Sequence, residues 1–74
     1  MDYTPRPERW EILAEGMSTE MLLHNMQEAI LMMKDCMSHG QTPEAAEYYY
    51  QEALFFADKW GKQAGAEMMA QGKG

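Results

Sequence analysis

Glu20, His24 and Glu28 recur every four residues, and Asp35 falls on nearly the same side of the same segment. On a helix that spacing stacks side chains along one face, where two carboxylates and an imidazole could hold a metal ion. Carboxylate metal sites in helix bundles instead combine Glu-x-x-His with matching ligands on facing helices. This stripe also points away from the apolar side of its own helix. It therefore reads as a solvated polar face, and no metal or cofactor is expected. Cys36 sits at the edge of an apolar stripe and reads as a buried structural thiol. His39, beside Gly40, reads as an exposed helix-end residue. No nucleophile stands with a base and an orienting group, and no Gly-rich phosphate loop is present. The sequence points to a protein that binds, not an enzyme.

Two constellations could bind. Arg6, Arg9 and Trp10, near Tyr3, combine guanidinium groups with aromatic rings, a set suited to an anionic planar ligand at a subunit junction. Glu44, Glu47, Gln51 and Asp58 line another helical face and could imitate a nucleic-acid backbone toward a basic partner. The chain carries 12 acidic and 6 basic residues, a formal charge of −6. That balance argues against direct nucleic-acid binding, which needs a basic footprint.

These residues must be positioned by helices. Val is absent, Ile and Thr are scarce, and Gly and Pro divide the chain into three apolar-periodic segments; the β-branched runs that build strands are missing. An all-α fold follows, as a single domain over 1–74. A flexible arm is expected over 1–6 and a short helix over 7–15, with Pro7 in its first turn and Trp10, Leu13, Ala14 and Met17 as its stripe. A second helix is expected over 19–38. Ser18 or Thr19 caps it, and Leu22, Leu23, Met26, Ala29, Ile30, Met33 and Met37 share one face. Thr42-Pro43-Glu44 opens the third helix, 43–71, with Thr42 as cap, Pro43 in first place and Glu44 at the positive end of the dipole. Loss of the Thr42 side chain is expected to cost on the order of 1 kcal/mol. Its main stripe is read as Ala46, Tyr49, Tyr50, Ala53, Phe56, Ala57, Trp60, Ala64 and Met68, and Gly61 marks a possible kink. The short turn near Gly40 makes the last two helices antiparallel neighbours, an α-hairpin with the first helix laid across it.

The stretch Gly40 to Leu54, GQTPEAAEYYYQEAL, resembles the turn and second helix of a tetratricopeptide repeat, with Ala46, Tyr50 and Ala53 at that helix's small-aromatic-small spacing. The likeness covers about 15 residues in one copy, whereas such repeats need neighbours to bury their faces. Lys34 stands where the preceding helix should carry glycine. The resemblance implies two closely packed helices, not membership of that family.

Function is read from surplus apolar surface. Nine methionines stand among 74 residues, and Met adapts to irregular gaps and to varied partners. Tyr48 and Phe55 fall off the main stripe of the third helix, two turns apart on one line. Met21, Leu31 and Met32 fall off the stripe of the second. The short helix could cover one such patch but not all. At 1.5 Å per residue the third helix spans roughly 43 Å against roughly 30 Å for the second, leaving Trp60, Ala64, Met68 and Met69 on an overhang. Ala53, Ala57, Gly61 and Gly65 recur every four residues, which reads as small-residue packing within the hairpin. A chain this short, with one cysteine and no zinc cluster, lacks the usual staples of small domains. Self-association through Tyr48, Phe55, Trp60, Met69 and Met32 is therefore expected, in a small regulator or inhibitor that acts by binding itself or another protein. The single thiol fits a reducing cytoplasm. No signal peptide or membrane span is read, since the longest apolar run, Ala29 to Met33, is far too short.

Overall fold

A computed structural model describes residues 3–40 and 42–72; the remaining positions of the expected arm, turn and C-terminus lie outside the described residues. Three helices follow in order: α1 (Pro7–Ala14), α2 (Thr19–Ser38) and α3 (Pro43–Gln71), with no strand among the described residues. No described helix is long and apolar enough to cross a membrane.

Local chemistry sets these boundaries. The Arg6 carbonyl accepts from the Arg9 amide at 3.0 Å and Pro7 takes the first helical position, so α1 starts where its missing N–H has no partner to lose. It ends at Ala14, one residue earlier than expected, before Gly16 turns the chain with φ +78°. Ser18 caps α2, its Oγ accepting from the Met21 amide at 3.2 Å, and Gly40 at φ +68° releases the chain beyond its end. Thr42 occupies the N-cap position of α3 but makes no side-chain cap bond, contrary to the sequence expectation. Pro43 and the Thr42 carbonyl, which accepts from Ala45 at 3.1 Å, start this helix instead. Ser18→Ala should therefore lower stability by about 1 kcal/mol, and Thr42→Ala should have a much smaller effect. Urea titrations of the two variants check this; equal losses would refute the assignment of the caps.

α3 runs as one continuous helix through Gly61 and Gly65. A Cβ at either glycine would meet nothing within 4 Å. At Gly61 and Gly65, therefore, the small-residue spacing does not mark a close contact with α2.

The core is built where α1, α2 and α3 meet. Trp10, Leu22 and Phe56 are its buried centre, with Ala14, Met17, Met26, Tyr48, Phe55 and Trp60 packed around them. The seam between α2 and α3 continues through buried Ala29, Cys36, Ala45 and Ala53. Three of these four are alanines, which let the helix backbones lie close together. Thr19 Oγ1 donates to Glu67 at 2.7 Å, and Gln63 Nε2 donates to Thr19 Oγ1 at 2.9 Å. The start of α2 thus meets the far end of α3. Trp60 and Ala64 lie short of that junction and are half-buried, so they are not on an overhang. Among the described residues only Met68 to Gly72 project past it. The arm is also not free along its length, since the Tyr3 ring meets Tyr48 and Tyr49 edge-on at 6.0 and 6.5 Å.

The seam on α3 is rotated from the expected stripe. Ala45, Tyr49, Ala53, Phe56 and Trp60 face inward, while Tyr50 and Met68, read as core, are exposed. Leu13 and Met37, placed on the core stripes of α1 and α2, are exposed as well. The cause is α1. Trp10 packs against Tyr48 and Phe55 with ring centroids 5.7 Å apart in both pairs. α3 must therefore serve two neighbours on adjacent faces, and its third face turns outward.

Candidate interaction surface

Tyr48 and Phe55 do not form the free patch the sequence implied. Trp10 covers them, and Lys59 adds to the same edge: its Nζ pairs with Glu11 at 2.9 Å and lies 5.6 Å from the centre of the Phe55 ring. Trp60 packs on the core. Met32 is exposed on α2, and Met69 is exposed near the end of α3. The five residues expected to form one interface are thus divided among α1's contact, the core, the flank of α2 and the tail of α3.

The open surface lies on the other side. Ala46, Tyr50, Leu54, Ala57, Gly61, Ala64 and Met68 follow steps of four or three residues along α3, so they share one face. None is charged. Tyr50 is 46% exposed, Leu54 48% and Met68 71%. On α2, Asn25 donates to the Met17 sulfur at 3.7 Å, which turns Asn25's flank toward the α1–α2 connection. By helical spacing Leu23, Ile30 and Met37 share the opposite flank of α2, with Met37 exposed. Farther around α2, exposed Leu31 lines a shallow groove of about 330 Å³ with Gln27 and Ile30. The molecule measures 50 × 24 × 13 Å. α3 packs on both α2 and α1, while its Tyr50, Leu54 and Met68 side chains stay exposed. Leu54 is not among the residues the sequence singles out; its spacing from Tyr50, Ala57 and Gly61 carries the signal, but the expected stripe merges this face with the seam.

The remaining chemistry is on the surface or sealed. The sequence stripe of Glu20, His24, Glu28 and Asp35 is solvent-exposed. His24 lies 3.8 Å from Glu28, and Asp35 pairs with His39 at 2.9 Å. Among the described residues no group of three His, Cys, Asp or Glu side chains is placed to hold a metal ion. On the acidic face, Gln51 donates to Glu47 at 2.8 Å and Asp58 pairs with Lys62 at 3.0 Å. Cys36 is buried in the seam. Burial pushes the Glu52 carboxyl above its ordinary range, and burial with nearby Tyr3 does the same for the Tyr49 phenol. By contrast, Arg6, Arg9 and Trp10 are brought together as the sequence implied. With Thr4 and Tyr48 they line a groove of about 230 Å³, and Tyr3 stands beside Tyr48.

No protein-family model matches the chain, and no curated protein or solved structure matches it either.

Proposed function

We propose that the chain is an antiparallel α-hairpin with α1 laid against one side, and that it works as a non-enzymatic binding module whose open side docks a second copy of itself. One observation carries this: an uncharged face runs along α3, and its large side chains Tyr50, Leu54 and Met68 are exposed. A standard interface buries roughly 800 Å² per partner, which a layer of α2 and α3 side by side would supply around the exposed Tyr50, Leu54, Met68 and Met37. Two such layers stacked face to face make a four-helix bundle. A two-fold axis lets the same patch serve both copies and uses each side chain twice. Ala57, Gly61 and Ala64 add no bulk at its middle, and Tyr50, Leu54 and Met68 supply the apolar area. The acidic residues lie on other faces, so the charge of −6 per chain need not be brought into the interface.

About half of each side chain is already covered, so burial of Tyr50 and Leu54 in each copy would contribute roughly 1 kcal/mol per side chain. Sedimentation equilibrium is expected to show a dimer at micromolar concentration, and the double variant Tyr50→Lys, Leu54→Lys a monomer with unchanged helicity. A wild-type chain that stays monomeric at high micromolar concentration refutes self-association. If wild type and double variant assemble alike, the interface is elsewhere. The biological role that fits is regulation or inhibition by occupancy, with the assembled helices as the contact surface for another protein.

A further inference from the structure

We propose that the groove between the N-terminal arm, α1 and Tyr48 binds a small phosphate ester with a planar body. This rests on a different part of the molecule from the self-association surface and stands whether or not the chain dimerises. Arg6 and Arg9 are one helical turn apart, and both line the groove with Thr4, Trp10 and Tyr48. The chain is acidic overall and has 6 basic residues. Lys59 and Lys62 are tied to Glu11 and Asp58, whereas the Arg9 side chain makes no ion pair or hydrogen bond among the described residues. Two of the six cations are therefore gathered at one concavity, and the Arg9 donors are unspent.

The composition of the wall selects the ligand class. A guanidinium offers parallel N–H donors that match the oxygens of a phosphate, and each such bond is charge-assisted. The Tyr48 hydroxyl can donate a further hydrogen bond. Trp10 is almost wholly buried, so it presents an edge, while half-buried Tyr48 presents part of its ring. Aromatic rings pair favourably edge to face or offset, so a flat ligand body gains contact there that a bare ion does not. The groove's volume of about 230 Å³ is below the roughly 300–1,000 Å³ of drug-sized pockets, which limits the ligand to about one ring and one phosphate.

The test is a nitrogen-15 NMR titration of the full chain with phenyl phosphate, inorganic phosphate and phenol, following the Arg9 Nε–H and the Trp10 indole N–H. Saturable shifts of both signals with phenyl phosphate are expected, with inorganic phosphate and phenol each at least fivefold weaker. Arg9→Gln, an exposed substitution, should weaken phenyl phosphate at least tenfold while circular dichroism stays unchanged. Shifts that rise linearly to the end of the phenyl phosphate titration overturn the proposal. So does an Arg9→Gln variant that binds as wild type does, or equal shifts at Lys59 and Lys62, which would mark a general ionic effect. Inorganic phosphate binding as tightly as phenyl phosphate overturns the planar ligand class.

Discussion

Replacing Phe56 with alanine is expected to lower stability by about 3–5 kcal/mol, the range for truncating a buried aromatic side chain. Phe56 is 1% exposed and lies in the buried centre with Trp10 and Leu22, where all three helices contribute. A cavity there cannot be filled by one flexible neighbour, because Phe55, Met26 and Trp60 already pack around the site. A chain of 74 residues has a total stability of roughly 4–11 kcal/mol at 0.05–0.15 kcal/mol per residue. The variant should therefore be partly unfolded without denaturant or have a midpoint far below wild type, with the slope unchanged where it can be measured. Urea denaturation followed by circular dichroism measures this. A loss below about 1 kcal/mol would show that Phe56 is not the centre of the cooperative unit.

Trp10→Ala should be nearly as costly, about 3 kcal/mol by the same reasoning, but its effect should be confined. α1 packs on α3 and scarcely on α2, and Trp10 is its buried anchor, 5% exposed against Tyr48 and Phe55. The Lys59–Glu11 pair that also joins α1 to α3 is partly solvent-exposed, and surface pairs contribute at most about 1 kcal/mol. Without the indole, α1 should separate while α2 and α3 remain paired. Amide hydrogen exchange should show α1 losing protection and the Leu22–Phe56 region keeping most of it. An environment-sensitive dye should then bind the uncovered Tyr48 and Phe55 patch. If the α1 amides keep wild-type protection in this variant, Trp10 is not the anchor.

These two variants also separate what was legible in the sequence from what was not. The α2 and α3 boundaries were legible because they depend on local chemistry. Ser18 beside the first turn, Pro7 and Pro43 at first helical positions, and glycines that adopt positive φ at 16 and 40 act within a few residues of themselves. The absence of β-branched runs likewise left helix as the local solution. The Arg6, Arg9 and Trp10 grouping is local too: Arg9 and Trp10 are adjacent in α1, and Arg6 joins them because it is the N-cap residue of that helix.

The facing of α3 was not legible. Its periodicity offers apolar residues on three sides: Tyr49 and Phe56, Tyr48 and Phe55, and Tyr50 and Leu54. A helical wheel ranks such faces by hydrophobicity but cannot say which neighbour each will meet. The tertiary structure decided it through one side chain. Trp10 claims Tyr48 and Phe55, α2 takes Tyr49 and Phe56, and Tyr50 and Leu54 are left outward. The Thr42 cap shows the same division on a smaller scale. Residue type placed Thr42 at the helix start, but only the coordinates showed that its hydroxyl is not bonded there. The sequence by itself determined where the helices begin and end; packing between residues far apart in the chain decided which apolar face is covered and which is left open, because burial is a property of the neighbour as much as of the residue.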